Sequence, residues 1–337
     1  MNIKNKKIHK LVFQIFKKHG LTSEHSKICS DAILNAELVG AHSHGLSRLK
    51  MYCERIKEKL IKPNPKIKIK KISQSIAHIN ADDSIGFVAA DLALKIAIKN
   101  ALKTGIGLVA VKNSNHYGLS GYYAEKAVKK NLITMIYTNA PPAIAPHGAL
   151  KSLLGTNPIC FGVPTGTKVP FILDSSNSMI NRGKIRLAKK NNTKLPAGVA
   201  LDRFGKPTRD PQKALEGIQL PMAGFRGSGL AWMVDILSGL ITGSNHAGKV
   251  KDPFEDFSGP QNVGHLFFLF KANLFIGDYR KRIKENIKII KKLPKLKSTK
   301  EIFYPGENKY KRFLKNSKKQ IKISSAVLKD LKILISD

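Results

Sequence analysis

Residues 75–112 read as strand, turn, helix and strand, and this unit restricts the fold more than any other stretch of the chain. Residues 75–81 have the apolar content of a strand, Asp82 and Asp83 mark a turn, and the alanine- and leucine-rich residues 87–103 have the length of a helix. Gly105 ends that helix, and residues 107–112 return to strand composition. Helices and strands are therefore intermixed, which puts the chain in the α/β class. A dinucleotide fingerprint needs its glycines between a strand and the helix that follows it, whereas Gly105 and Gly107 come after the helix and before a strand. The fold expected is a mixed α/β fold without the Rossmann signature.

The flanking segments extend this reading. Leu11, Val12, Ile15 and Phe16 recur at helical spacing, and Thr22 or Ser23 can cap a second helix that runs through Ile28, Ala32, Ile33 and Ala36 to Gly40. A third helix is expected from Ser43, with Leu49, Tyr52, Ile56 and Leu60 on its apolar stripe, until Pro63 and Pro65 break the pattern and offer a domain boundary. Residues 66–72 alternate charge with isoleucine as a strand would, and further strands are expected at 132–138, 171–174 and 265–270. A long helix is expected at 227–240 and amphipathic helices beyond Asp278, with a surface loop at 291–300. No internal repeat is visible.

Composition excludes several classes. At 337 residues, 42% hydrophobic and 24% charged, the chain can bury a sizeable core. Asp235 interrupts the apolar run at 230–241, and Pro141 and Pro142 interrupt the one after Leu132, so neither reaches the length of a membrane span. The first twenty residues lack the continuous apolar centre and cleavage site of a secretory signal. Cys29, Cys53 and Cys160 are too far apart for a disulfide framework or a zinc knuckle, which points to a reducing, cytoplasmic setting. The net charge of +36 admits a nucleic-acid partner, but the lysines are dispersed and alternate with apolar residues, and no zinc-finger spacing, arginine-rich helix or aromatic platform accompanies them. Nucleic acid is therefore not the expected partner.

Two constellations carry chemistry. In the first, residues 41–48 read Ala-His-Ser-His-Gly-Leu-Ser-Arg, followed by Tyr52. On a helix starting near Ser43, His44, Arg48 and Tyr52 would share one face. That face would offer an imidazole to exchange a proton and a guanidinium to grip a carboxylate. The second, Asn113-Ser114-Asn115-His116-Tyr117-Gly118, falls on a loop after a strand, where sites are commonly built. Taken singly, each residue has a structural reading: Tyr52 packing, Arg48 solvated, His116 bonded through both nitrogens. A metal held by His42, His44 and His116 lacks the carboxylate or thiol that would complete a ligand set, so no metal is expected.

These blocks, together with Ala-Pro-His-Gly at 145–148, Leu-Gly-Thr-Asn-Pro at 154–158, Asp174, residues 220–229, Gly264 with His265, and Pro-Gly-Glu at 305–307, resemble the malate/L-lactate dehydrogenase family unrelated to the Rossmann enzymes of those names. Its members include ureidoglycolate, sulfolactate, diketogulonate and piperideine-2-carboxylate oxidoreductases. The resemblance spans nearly the whole chain. It implies a helical domain built from both chain ends (1–62 and 276–337), a sheet-based cofactor- and substrate-binding domain (63–275), and a homodimer. It also implies hydride transfer between NAD or NADP and a small 2-hydroxy or 2-keto acid, with a cyclic 2-imino acid as the alternative substrate within the family. A basic nucleic-acid-associated protein that has lost catalysis is the alternative outside it. By the same resemblance His44 or His116 handles the proton, Ser43, Arg48 and Tyr52 hold substrate, and Asp174, Ser175, Ser176, Gly224, Arg226, Gly306 and Glu307 contact the cofactor. Two departures stand out: Asp174 is followed by Ser-Ser-Asn-Ser where relatives carry methionine or leucine, alanine, threonine and serine, and Arg226 replaces a lysine.

Overall fold

The computed structural model describes residues 2–336. The chain opens with β1 (Asn2–Ile3) and the helices α1 (Asn5–Lys18) and α2 (Ser23–Leu38). On α1 the buried Ile8, Val12, Ile15 and Phe16 form one stripe, each contributing about 1.5–3 kcal/mol on burial, while lysines take the other side. Thr22 caps α2 by accepting the His25 N–H at 3.1 Å. After two 3₁₀ turns come α3 (Leu49–Lys57), β2 (Lys68–Lys71), β3 (Ile76–Asn80), α4 (Gly86–Thr104), β4 (Ile106–Ser114), α5 (Ser120–Val128), β5 (Leu132–Thr138), β6 (Ile159–Val163) and β7 (Phe171–Ser175). The second half carries α6 (Arg182–Lys190), β8 (Ala200–Leu201), α7 (Pro211–Glu216), β9 (Ile218–Gln219), α8 (Phe225–Asp235), β10 (Val263–Lys271), α9 (Tyr279–Lys292), α10 (Glu307–Ser317), β11 (Ile321–Lys322) and α11 (Ser325–Ser336).

Seven strands form the central sheet in the order β2-β3-β4-β10-β5-β6-β7. Only β3 and β4 run parallel, joined by α4 as the strand–helix–strand pattern requires; the other neighbours are antiparallel. Packing explains both glycines that resembled a fingerprint. Gly105 is the left-handed cap of α4, at φ +94°, and Gly107 lies so close to α4 that a side chain there would sit 2.1 Å from the Ala97 carbonyl oxygen. The buried alanines 89, 90, 93, 97 and 101 let the helix approach the sheet this closely.

A separate apolar core joins the two chain ends: residues of α1, α2 and α3 pack with Ile321, Ile323, Leu331 and Leu334, and β1 pairs with β11. By contrast α9 has no buried residue.

Three features differ from the sequence expectation. The third helix does not begin at Ser43: residues 42–44 and 46–48 form two 3₁₀ turns separated by a non-helical Gly45 (φ −100°, ψ −135°), and helix starts only at Leu49. The long helix at 227–240 is α8 followed by a π turn at 236–240. Strand β6, helices α5, α6 and α7 and the two-residue strands β1, β8, β9 and β11 were not expected; those strands are too short to show a period, and α6 buries little of its polar sequence.

Candidate active site

Glu37 dictates the break at Gly45. Its carboxylate, only 4% exposed, accepts the Leu46 N–H at 2.8 Å and shares a 2.5 Å hydrogen bond with His42 Nδ1. A side chain at position 45 would lie 2.1 Å from Glu37 Oε1, so only glycine lets the chain pass. The bond to Glu37 also raises the His42 pKa, and it turns that ring away from the neighbouring cavity. Ser43 and His44 then face inward, with Ser43 Oγ 3.0 Å from His44 Nδ1, and Arg48 Nε donates to the Ser43 carbonyl at 2.8 Å.

The second constellation is pinned from beneath. Fully buried Asn115 donates to the carbonyls of Asp83 (3.2 Å) and Ser84 (3.0 Å), which fixes the loop leaving β4 against the start of α4. The His116 N–H donates to Gln261 Oε1 at 3.2 Å. His116 Nδ1 shares a 2.6 Å hydrogen bond with the hydroxyl of buried Tyr52, and the Gly118 N–H approaches the same nitrogen at 3.4 Å. Behind it Tyr117 stacks at 4.5 Å on His265, whose two nitrogens are held at 2.8 Å by Ser114 and Thr138.

These segments meet at one cavity of about 140 Å³, room for a small acid. Ser43, His44, Arg48 and His116 line it; Tyr52 does not, but stands behind it, bonded to His116 and close enough to Arg48 for the two to interact electrostatically. The two imidazoles stack with centroids 5.6 Å apart at 28°. Burial, reinforced by Arg48 and Lys309, pushes His44 down to about 3. Burial, then Arg48, His44 and His265, holds His116 well below the usual histidine value. Both rings are therefore neutral at pH 7, able to accept a proton, and an anion arriving beside them raises both. Among the described residues no group of three or more His, Cys, Asp or Glu side chains comes together to hold a metal ion.

The cofactor candidates fall in two places. Gly224, with φ +59°, stands before α8 with open space where a side chain would be, and Arg226 is exposed in the first turn of that helix. Free helix N–H groups beside a guanidinium suit a phosphate. Elsewhere, Asp174 and Gly306 line a smaller cavity of about 40 Å³ with Lys309. Asp174 accepts the Gly121 N–H at 3.0 Å, and Lys309 Nζ lies 3.6 Å from its carboxylate. A side chain at Gly306 would meet Ile172 N at 2.8 Å. Ser175 donates to the Ser176 carbonyl, and Ser176 bonds Ser178. The Glu307 carboxylate is committed to Lys291 and the Tyr304 N–H.

Sequence reasoning passed over Arg182, Arg186, Asp252, Phe254 and Gln261, all on the cavity wall. Asn181 carried the usable signal: it caps α6 by accepting the Lys184 N–H at 2.9 Å, and a helix begun there puts Arg182 and Arg186 on one face.

A sequence profile described as malate/L-lactate dehydrogenase matches residues 3–332. The malate/(S)-sulfolactate dehydrogenase of Methanothermus fervidus is 35% identical over 324 residues, 96% of this chain and 94% of that protein. A (2R)-3-sulfolactate dehydrogenase (NADP(+)) of Chromohalobacter salexigens is 33% identical over 264 residues, 78% of this chain and 79% of that relative. The solved structure of sulfolactate dehydrogenase from Methanocaldococcus jannaschii matches with a TM-score of 0.93 at 36% identity, covering 100% of this chain and 97% of that one.

Proposed function

Because the chain belongs to the malate/L-lactate dehydrogenase family, we propose that it interconverts a small 2-hydroxy acid and its 2-keto acid with NAD or NADP. The observation that carries this reading is the pair of stacked, neutral imidazoles beside Arg48 in one small cavity. A bound nicotinamide would supply or accept the hydride at the substrate C2. Arg48 holds the substrate carboxylate, with Ser43 beside it. His116 is the principal acid/base, because its Nδ1 is fixed by Tyr52 while the ring lines the cavity; this is the arrangement in which a base is oriented by a third group. In oxidation neutral His116 takes the hydroxyl proton, and in reduction its imidazolium returns one to the developing alkoxide. Stacked His44 resists a second charge nearby and helps hold the substrate. The α8 N-terminus with Gly224 and Arg226 would take cofactor phosphate, and the backbone of Asp174, Ser175, Ser176, Gly306 and Glu307 the remainder.

The proposal includes the division of the chain into a helical unit (1–62 and 276–337) and a sheet unit (63–275), supported by the apolar core common to both ends. It also includes a homodimer. Leu230, Trp232, Ile236, Leu240 and Ile241 along α8 and its π turn are 37–59% exposed, an apolar face suited to a second copy. A cytoplasmic location belongs to it as well, supported by three buried free thiols. No helix among the described residues is long and apolar enough to cross a membrane.

The test is oxidation and reduction of both nicotinamide cofactors with malate, lactate, sulfolactate, ureidoglycolate and cyclic imino acids. Turnover of a hydroxy or keto acid supports the reading. Amine formation from an imino acid alone, or salt-dependent DNA binding without any turnover, would replace it.

A further inference from the structure

An arginine that lies outside the cavity is fully buried. Arg55, 0% exposed, stands on α3 one turn beyond Tyr52 and two turns beyond Arg48. Its terminal nitrogens donate to two main-chain carbonyls of a single segment, Nη1 to Asp256 and Nη2 to Gly259, both at 3.0 Å. The Phe257 ring centroid lies 5.4 Å from the guanidinium carbon, and the buried Nε has no hydrogen-bond partner among the described residues. The Asp256 carboxylate is turned instead to the Ser258 N–H (3.0 Å) and hydroxyl (2.6 Å). Two neutral carbonyls offset only part of the desolvation of a guanidinium, so packing alone does not account for this residue.

The gripped segment has no helix or strand: residues 251–262 run as turns and bends into β10. It nevertheless supplies Asp252, Pro253, Phe254 and Gln261 to the cavity wall. Gln261 donates to the Lys251 carbonyl at 3.0 Å and accepts the His116 N–H at 3.2 Å, which closes the segment into a loop whose base rests on the histidine side. Between its ends the loop lays the Phe254 ring against Arg48, with 4.8 Å from the guanidinium carbon to the ring centroid. We propose that Arg55 is a positioning residue for substrate binding: by gripping residues 256–259 it keeps Phe254 over Arg48 and closes that side of the cavity. The inference rests on the reading that Arg48 holds the substrate carboxylate. A planar fork that bridges two carbonyls fixes both the separation and the orientation of α3 and the loop, which an ammonium on a flexible stem does not. Without the fork both carbonyls lose their donor, the loop opens, and Arg48 faces water where Phe254 shields it.

The experiment follows amide hydrogen exchange across residues 251–262 in the parent protein, Arg55→Lys and Arg55→Met, beside steady-state oxidation and calorimetric binding of malate, lactate and 3-sulfolactate. In the parent, without substrate, these amides are expected to exchange more slowly than those of the largely exposed stretch 295–300. Arg55→Met is expected to speed their exchange at least about 10-fold while β4 and β10 stay protected. KM for the acid turned over rises roughly 10- to 100-fold, the scale of a misplaced binding group, and kcat changes severalfold at most because Tyr52 still orients His116. Arg55→Lys, which keeps the charge and can make one of the two bonds, falls between the parent and Arg55→Met. Exchange of 251–262 in the parent as fast as in 295–300 overturns the proposal whatever the variants do. So does a loosened loop in Arg55→Met with KM unchanged, or a loss of protection spread through the helical core with KM unchanged, which is the mark of a merely structural residue. A loosened loop that weakens acid binding in the calorimeter, with no turnover by either cofactor in the parent, sustains the positioning role and removes the hydride-transfer reading.

Discussion

The turn that carries His44 and the helix that carries Arg186 face each other across one cavity, yet they are fixed by different means. On the histidine side every anchor is buried: Glu37 holds the turn, Asn115 the loop, Tyr52 the imidazole of His116. On the arginine side the anchoring is looser and mixed: Arg182 bonds the Pro142 carbonyl and both arginines face Asp252, 16% exposed, while the Arg186–Glu255 pair is open to water, 27% and 67% exposed at the side chains. Buried hydrogen bonds fix a geometry tightly because leaving them unmade is costly, whereas exposed ion pairs contribute little and rearrange readily. A proton-transfer wall needs a fixed ring and a recognition wall needs groups that change partners, so the difference separates chemistry from selectivity.

The largest effect that can break this division is on turnover. His116→Ala is expected to lower kcat about 10²- to 10⁴-fold, the usual range for a lost general acid or base. Tyr52→Phe leaves the ring in place without its orienting partner and is expected to lose less. Steady-state kinetics of both variants beside His44→Ala decides the matter: a heavy loss in His44→Ala with a mild one in His116→Ala would exchange the roles of the two rings.

Acid stability is the next test. His44 and His265, pushed down to about 3, and His116, also lowered, bind protons more readily in the unfolded chain, where histidine titrates near 6.5. Stability present above about pH 6.5 is therefore lost as pH falls toward about 3. His42 opposes this, since its raised pKa contributes stability that is present below its unfolded value and lost as pH rises through its folded one. Three rings outweigh one. Denaturant unfolding at pH 6.5 and pH 5, a window above most carboxylates, is expected to show a decline on the order of a few kcal/mol. An unchanged midpoint would mean that these rings are not buried neutral.

Glu37→Gln probes the buried anchor directly. The amide keeps an acceptor for the Leu46 N–H but gives up the charge that grips His42, and a loss of about 1–3 kcal/mol is expected, with His42 returning toward an ordinary histidine pKa by NMR titration. A silent substitution would make the turn at Gly45 a product of local sequence alone.

How much of this was legible from sequence follows the same division. The strand–helix–strand unit at 75–112 and the two histidine blocks are local, each encoded within a few neighbouring residues. The path through Gly45 was not, because it depends on Glu37, eight positions earlier, becoming a buried acceptor; helical spacing put His44, Arg48 and Tyr52 on one face, whereas Tyr52 stands behind His116 and off the cavity wall. Nor was the arginine wall. Arg182 and Arg186 lie in a polar, lysine-rich segment that reads as a solvated face, and their counter-ion is 66 residues beyond Arg186. Contacts of that range leave no periodicity to find.

The smallest effect sharpens the comparison most. Glu255→Gln removes the exposed partner of Arg186 without touching the cavity lining, and as a surface pair it is expected to change folding stability by no more than about 1 kcal/mol. If the arginine wall is held as loosely as its exposure implies, thermal unfolding barely moves while affinity for the acid substrate rises slightly, because Arg186 is freed on its outer side. Should Glu255→Gln instead destabilise the protein as much as Glu37→Gln, the two walls would be anchored alike, and the separation of a fixed chemical wall from an adaptable recognition wall would fail.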